Sequence, residues 1–181
     1  FTRHGLIVPD ILRYGLPLFT EKPLASSVQV GERIVAALAE SDSFLMLGYH
    51  KRSDPATAYA RAEIERLRRT GGLGALRYVR ITMPPGDWVA GGFCDLVTTD
   101  EPRPTLETDP PPPDMSPDAF QRYVTLVNDY IHQINLLRYL LGEPYRVAYA
   151  APSGVLLAAE SESGVSGVIE MAPYRTTLGW D

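Results

Sequence analysis

The sequence predicts a two-part fold. An α/β segment built on a parallel sheet is followed by an α+β segment with a long helix and a largely antiparallel, open sheet. Three observations predict it. Helix and strand patterns alternate over residues 4–50 with short links, the signature of parallel strands joined by helices. One uninterrupted helical pattern runs from Ser116 to Gly142. After it come three strand-like runs whose Gly, Ser and Pro connections are too short to hold a crossover helix, so they pair antiparallel.

The elements follow in order. "HGLIVPDILRYG" (4–15) places Leu6, Ile7, Ile11 and Leu12 on one helical face and ends at Gly15, with Pro9 tolerable only in a first turn. "LPLFTEKP" (16–23) reads as a buried strand closing in a polar tip. "SSVQVGERIVAALAES" (26–41) opens on serine caps and repeats Val30, Ile34, Val35 and Leu38 at helical spacing. "SFLMLGYH" (43–50) is a second buried strand. "DPATAYARAEIERLRRTGG" (54–72) has Asp54 to cap it, Pro55 at the first helical position, arginines in the last turn and Gly71 beyond. "ALRYVRITM" (75–83) alternates like a half-buried strand. Residues 84–115 are loop-like, and "TDPPPPDM" reads as an extended, polyproline-like surface spacer, with a recognition ligand as the alternative. "RVAYAAP", "GVLLAAES" and "SGVSGVIEMAPYRTTL" are the closing strands.

Composition excludes several classes. The chain has 181 residues, 45% of them hydrophobic, and a net charge of −5 with both signs interspersed, so no nucleic-acid footprint stands out. No apolar run reaches the length of a membrane span. The lone cysteine, Cys94, rules out an internal disulfide and agrees with a reducing cytoplasm. Neither Cys94 nor His4, His50 and His132 show zinc spacing, and "APSGV" (151–155) is no hydrolase elbow, so no metal site is expected. Trp88 and Trp180 are expected to pack. The start at Phe1, inside an ongoing pattern, and the close at "GWD" lead to the expectation of a longer parent chain.

Two stretches carry possible chemistry. The Glu21-Lys22-Pro23 tip lies at the carboxyl end of a buried parallel strand, where open α/β sheets bind ligands. A lysine there can donate a hydrogen bond or shuttle a proton; it can equally be an exposed strand-end side chain. A cis bond before Pro23 would fix the turn. On the long helix, Asn128, His132 and Asn135 stand at i, i+4 and i+7, within roughly 60° of one another. Three such groups on an apolar helix must satisfy one another, line a wet cleft or meet a polar ligand, since each buried unsatisfied group costs roughly 1–3 kcal/mol.

"FTEKPLA", "GYHKRSDPA", "GGLGALRYV" and "NDYIHQINLLRYLLGEP" occur in the order found in the glucose–fructose oxidoreductase / inositol dehydrogenase / rhizopine-catabolism family, which the chain resembles over most of residues 1–147. The resemblance implies that residues 1–50 are the remainder of a Rossmann-like dinucleotide-binding domain. Residues 51–181 would be an α+β domain for substrate binding and oligomerisation through its sheet. It also implies NAD or NADP as cofactor and a sugar or polyol substrate. Lys22 maps between nicotinamide and substrate, with Glu21 and Pro23 completing the cofactor-side tip, and His132 maps to the acid/base residue. Asn128 and Asn135 stand where the family commonly carries Asp, which confines them to orienting or recognising, since Asn exchanges no proton. Arg52 matches a basic position near the cofactor, with Tyr49 and His50 as weaker candidates. The family's Gly-x-Gly-x-x-Gly turn after a strand is not found here; "TGGLGAL" (70–76) follows a helix and reads as its cap.

Three functions follow: a nicotinamide-dependent oxidoreductase, a non-catalytic oligomerisation scaffold, or an enzyme using bound nicotinamide for a net non-redox reaction.

Overall fold

The computed structural model describes residues 1–83, 99–102 and 104–171; Trp88, Cys94, Trp180 and the tail of the last expected strand lie outside them. The chain forms two units: residues 1–50 with 102–131, and residues 51–101 with 132–181.

In the first unit, α1 (His4–Leu12) and α2 (Val28–Ala39) cover a two-stranded parallel sheet of β1 (Leu18–Thr20) and β2 (Leu45–Leu47). Ser27 caps α2 by accepting from the Val30 amide at 3.2 Å, which explains where the helix begins. The core is Val8, Leu12, Val30 and Ile34, with Leu18, Leu24, Leu38 and Leu45 packed against it. Each such aliphatic side chain contributes about 1.5–3 kcal/mol on leaving water.

Two expectations change here. The buried face of α1 is Val8 and Leu12, while Ile7 is exposed, because α2 meets the helix on that side. Pro9 lies in the second turn rather than the first, as the helix already starts at His4. The parallel pairing of β1 with β2 agrees with the α/β expectation, in register Leu18↔Leu45 to Thr20↔Leu47.

The proline segment is more than a spacer. Its prolines are largely exposed, but Asp109 within it is 1% exposed. The Asp109 carboxylate accepts from the Gly5 amide at 2.8 Å, at the start of α1, and its backbone amide donates to the Thr2 carbonyl at 2.6 Å. Helix N-termini present unsatisfied amides and a partial positive charge, so an acidic side chain is stabilised there. Arg33 of α2 stands 3.7 Å from the same carboxylate.

The second unit contains α3 (Pro55–Thr70) and a four-stranded sheet of β3 (Tyr78–Thr82), β4 (Tyr145–Ala150), β5 (Leu156–Ser161) and β6 (Ser166–Glu170), in the order β3-β6-β5-β4. The β4–β5 and β5–β6 pairs are antiparallel, as their short turns require, and β3 joins β6 in parallel. Asp54 caps α3 by accepting from the Ala56 and Thr57 amides, and Gly71 ends it at φ 67°, so the "TGGLGAL" glycines are indeed a cap and turn.

The long helix α4 (Pro117–Leu141) supplies its residues up to Ile131 to the first unit and the rest to the second. Leu137 and Leu141, both fully buried, belong to the second unit's core with Leu157, Ala159 and Ile169. Gly167 of β6 lies so close to Leu137 that a Cβ there would stand 2.9 Å from Leu137 Cδ2. The other sheet face presents Tyr78, Arg80, Glu160, Val168 and Glu170. No helix among the described residues is long and apolar enough to cross a membrane.

Candidate functional site

Because β1 and β2 are parallel, their carboxyl ends open on the same side. There the Glu21-Lys22-Pro23 tip meets the turn after β2, where the Gly48 amide donates to the Thr20 carbonyl at 2.9 Å. A Cβ on Gly48 would stand 3.3 Å from the Phe19 ring and 3.5 Å from the Glu21 carboxylate, so the two turns approach closely. The Lys22–Pro23 bond is cis, and Pro23 is buried.

Lys22 is half-buried, and its Nζ donates to the Asn128 carbonyl of α4 at 3.1 Å. Burial pushes its pKa below the ordinary 10.5, against the opposing pull of the Glu21 and Asp129 carboxylates. The ammonium is therefore easier to deprotonate than a surface lysine. The contact uses the backbone of Asn128; its side chain is exposed.

Further along α4, in the second unit, His132 and Asn135 are half-buried. Asn135 Oδ1 accepts from Arg52 Nε at 2.7 Å, and because arginine only donates, this bond also assigns the amide orientation. The Arg52 guanidinium lies 5.3 Å from the centre of the Tyr139 ring. It lines a cleft of about 250 Å³ together with Arg61, Arg138, Tyr139 and Glu143. Arg61 and Arg68 are already committed: they donate to the Tyr139, Leu140 and Leu141 carbonyls at the end of α4, where cations are favoured.

The fold thus brings Lys22 to Asn128 within the first unit, and Arg52 to Asn135 within the second. No motif assigns a separate role to His4, which binds both ends of the Lys22 tip: its Nδ1 lies 3.0 Å from the Pro23 carbonyl and 3.1 Å from that of Leu24, and its Nε2 lies 3.3 Å from Thr20 Oγ1. A polar residue opening an apolar helix was the available signal. Asp109 was missed because its run of prolines reads as exposed loop.

No family model matches the sequence, and no curated protein does. Solved structures match extensively. A putative myo-inositol dehydrogenase from Sinorhizobium meliloti 1021 superposes with a TM-score of 0.60 at 20% identity, over 98% of this chain and 49% of that one. Over that span the two chains share one fold. Aldose-aldose oxidoreductase from Caulobacter crescentus, complexed with glycerol, matches with a TM-score of 0.60 at 20% identity over 95% and 48% of the two chains. An inositol dehydrogenase homolog from Azotobacter vinelandii, complexed with NAD+, gives 0.58 at 18% identity over 94% and 43%. The chain spans about half the length of these structures. They are oxidoreductases of the glucose–fructose oxidoreductase / inositol dehydrogenase type that the motifs resemble.

Proposed function

We propose that this protein is a nicotinamide-dependent oxidoreductase that interconverts an alcohol and a carbonyl on a sugar, polyol or sugar derivative. The observation that carries it is the half-buried Lys22 at the carboxyl end of a parallel strand, its Nζ donating to the Asn128 carbonyl and its pKa pushed below the ordinary lysine value by burial. The solved structures of the same fold add support, through one bound to NAD+ and one bound to glycerol.

The residues present fit the nicotinamide end of a dinucleotide. The carboxyl ends of β1 and β2, where the Glu21–Pro23 tip and the Gly48 turn lie, are where such sheets take ligands. Arg52, in a cleft rich in guanidinium groups, would hold an anionic group of the cofactor. When bound, NAD or NADP supplies the hydride acceptor for oxidation and the donor for reduction.

The chain's own residues do the rest. In oxidation, a hydride leaves the carbinol carbon with both electrons of its bond, and the hydroxyl proton passes to an imidazole nitrogen of His132, leaving a carbonyl. Lys22 donates to the reacting oxygen and stabilises the negative charge that develops there. Asn128 and Asn135 orient neighbouring hydroxyls, for which an amide suits well because it both donates and accepts.

The full gene product, titrated with NAD(H) and NADP(H) and assayed on sugars and polyols, tests this. Saturable binding and reduction of the cofactor are expected; binding no better than background rejects the enzyme.

A second role is compatible with the first. The face carrying Tyr78 and Arg80 is covered by no described element and suits a homo-oligomer built sheet to sheet, with or without catalysis. Tyr78→Glu is expected to lower the mass seen by light scattering; an unchanged mass counts against it.

A further inference from the structure

We propose that His4 is the positioning residue for Lys22, setting the ammonium by holding both ends of the tip with its two ring nitrogens. This deepens the functional reading above, on which it rests.

The chemistry of the partners fixes the ring. Carbonyl oxygens only accept, so Nδ1, at 3.0 Å from Pro23 O and 3.1 Å from Leu24 O, must carry a hydrogen and donate to both. In the neutral ring Nε2 is then the bare nitrogen, and Thr20 Oγ1, at 3.3 Å, donates to it. Thr20 closes β1 immediately before the tip, and Pro23 and Leu24 follow immediately after Lys22. One side chain, anchored at the first residue of α1, therefore spans the loop at its base.

The ring cannot drift without the tip. It is half-buried, and the next residue, Gly5, is pinned by the Asp109 carboxylate. Without the imidazole, the Pro23 and Leu24 carbonyls lose their shared donor, and nothing else among the described side-chain bonds links α1 to the tip. Lys22 would still be attached, but its Nζ would sample positions away from Asn128 and towards water. A displacement of about 1 Å at a catalytic group can cost roughly a hundredfold in rate.

The test uses His4→Ala, His4→Asn and His4→Gln in the full gene product. Asn places its amide nitrogen where Nδ1 stands and keeps the donation to the two carbonyls; Gln places it where Nε2 stands and loses that donation. The readouts are the titration of the Lys22 ε-carbon resonance and kcat with a nicotinamide cofactor. The proposal expects Ala and Gln to raise the Lys22 pKa towards its ordinary value and to lower kcat about 10- to 100-fold. Asn should stay close to wild type in both. Should Ala fail to fold, the Asn and Gln pair decides. Equal behaviour of Asn and Gln, or a folded Ala variant with unchanged Lys22 titration, overturns the proposal. If Lys22 follows His4 while wild type neither binds nor turns over the cofactor, the clamp stands and the oxidoreductase function falls.

Discussion

Gly5→Ala separates tertiary from local control in the first unit. Judged by helix propensity alone, replacing a helical glycine by alanine should stabilise by about 1 kcal/mol. The structure reverses that sign. An alanine Cβ would stand 2.3 Å from Asp109 Oδ1 and 2.4 Å from Val30 Cγ1. Ordinary carbon contacts need roughly 3.5 Å, so each neighbour must retreat by about 1 Å. Neither can do so easily. Val30 is a buried, β-branched residue of the core, and Asp109 is buried and bonded to the Gly5 amide itself. Overpacking costs about 1–3 kcal/mol. Losing the hydrogen bond to the carboxylate adds about 1.5–3 kcal/mol. Against the propensity gain, the net expectation is a loss of about 1.5–5 kcal/mol. Urea unfolding of Gly5→Ala beside wild type reads this directly, with the fluorescence of the native tyrosines and tryptophans as signal. A neutral or stabilised variant would refute the packing of the proline segment on the start of α1.

Leu137→Ala should destabilise the second unit by about 2–5 kcal/mol, since a fully buried leucine leaves a cavity against β6. Gly167→Ala should be harmful alone but close to neutral in the Leu137→Ala background, because its added methyl enters the vacated space; a double-mutant cycle with no coupling would contradict the contact. For Lys22, the lowered pKa places the alkaline fall of activity below pH 10.5, and Lys22→Arg should move that limb upward in a pH–rate profile. The same shift acts on stability. Between the lowered pKa and 10.5 the unfolded chain holds more protons than the folded one, so stability rises with pH across that window. Lys22→Met should therefore be the more stable protein at neutral pH, with the difference closing above pH 10.5; a denaturation midpoint that ignores pH in both proteins would contradict the burial.

Local chemistry made much of the fold legible. Ser27 and Asp54 mark helix starts because their side-chain oxygens satisfy the first free amides, and Gly71 marks a stop because it adopts a positive φ without a Cβ penalty. The short links after α4 dictated antiparallel strands for the same local reason. The parallel pairing of β3 with β6 was not legible, since the two strands lie far apart in the chain and only packing brings them together.

The motif that drew attention to the Lys22 tip is contiguous, so residue order alone could reveal it, and the same holds for the Asn128, His132 and Asn135 stripe, whose spacing is that of one helix face. What holds Lys22 is not contiguous. His4 reaches across 16 to 20 residues, Asn128 across 106, and Asp109 returns to Gly5 across 104. Residue order on its own determined which segments coil, extend and turn, because those preferences act over a few neighbouring residues. Tertiary structure alone decided which nitrogen of His4 donates, which atom the Lys22 ammonium meets and why Asp109 is buried, because hydrogen bonds and contacts act through space between residues the chain keeps far apart.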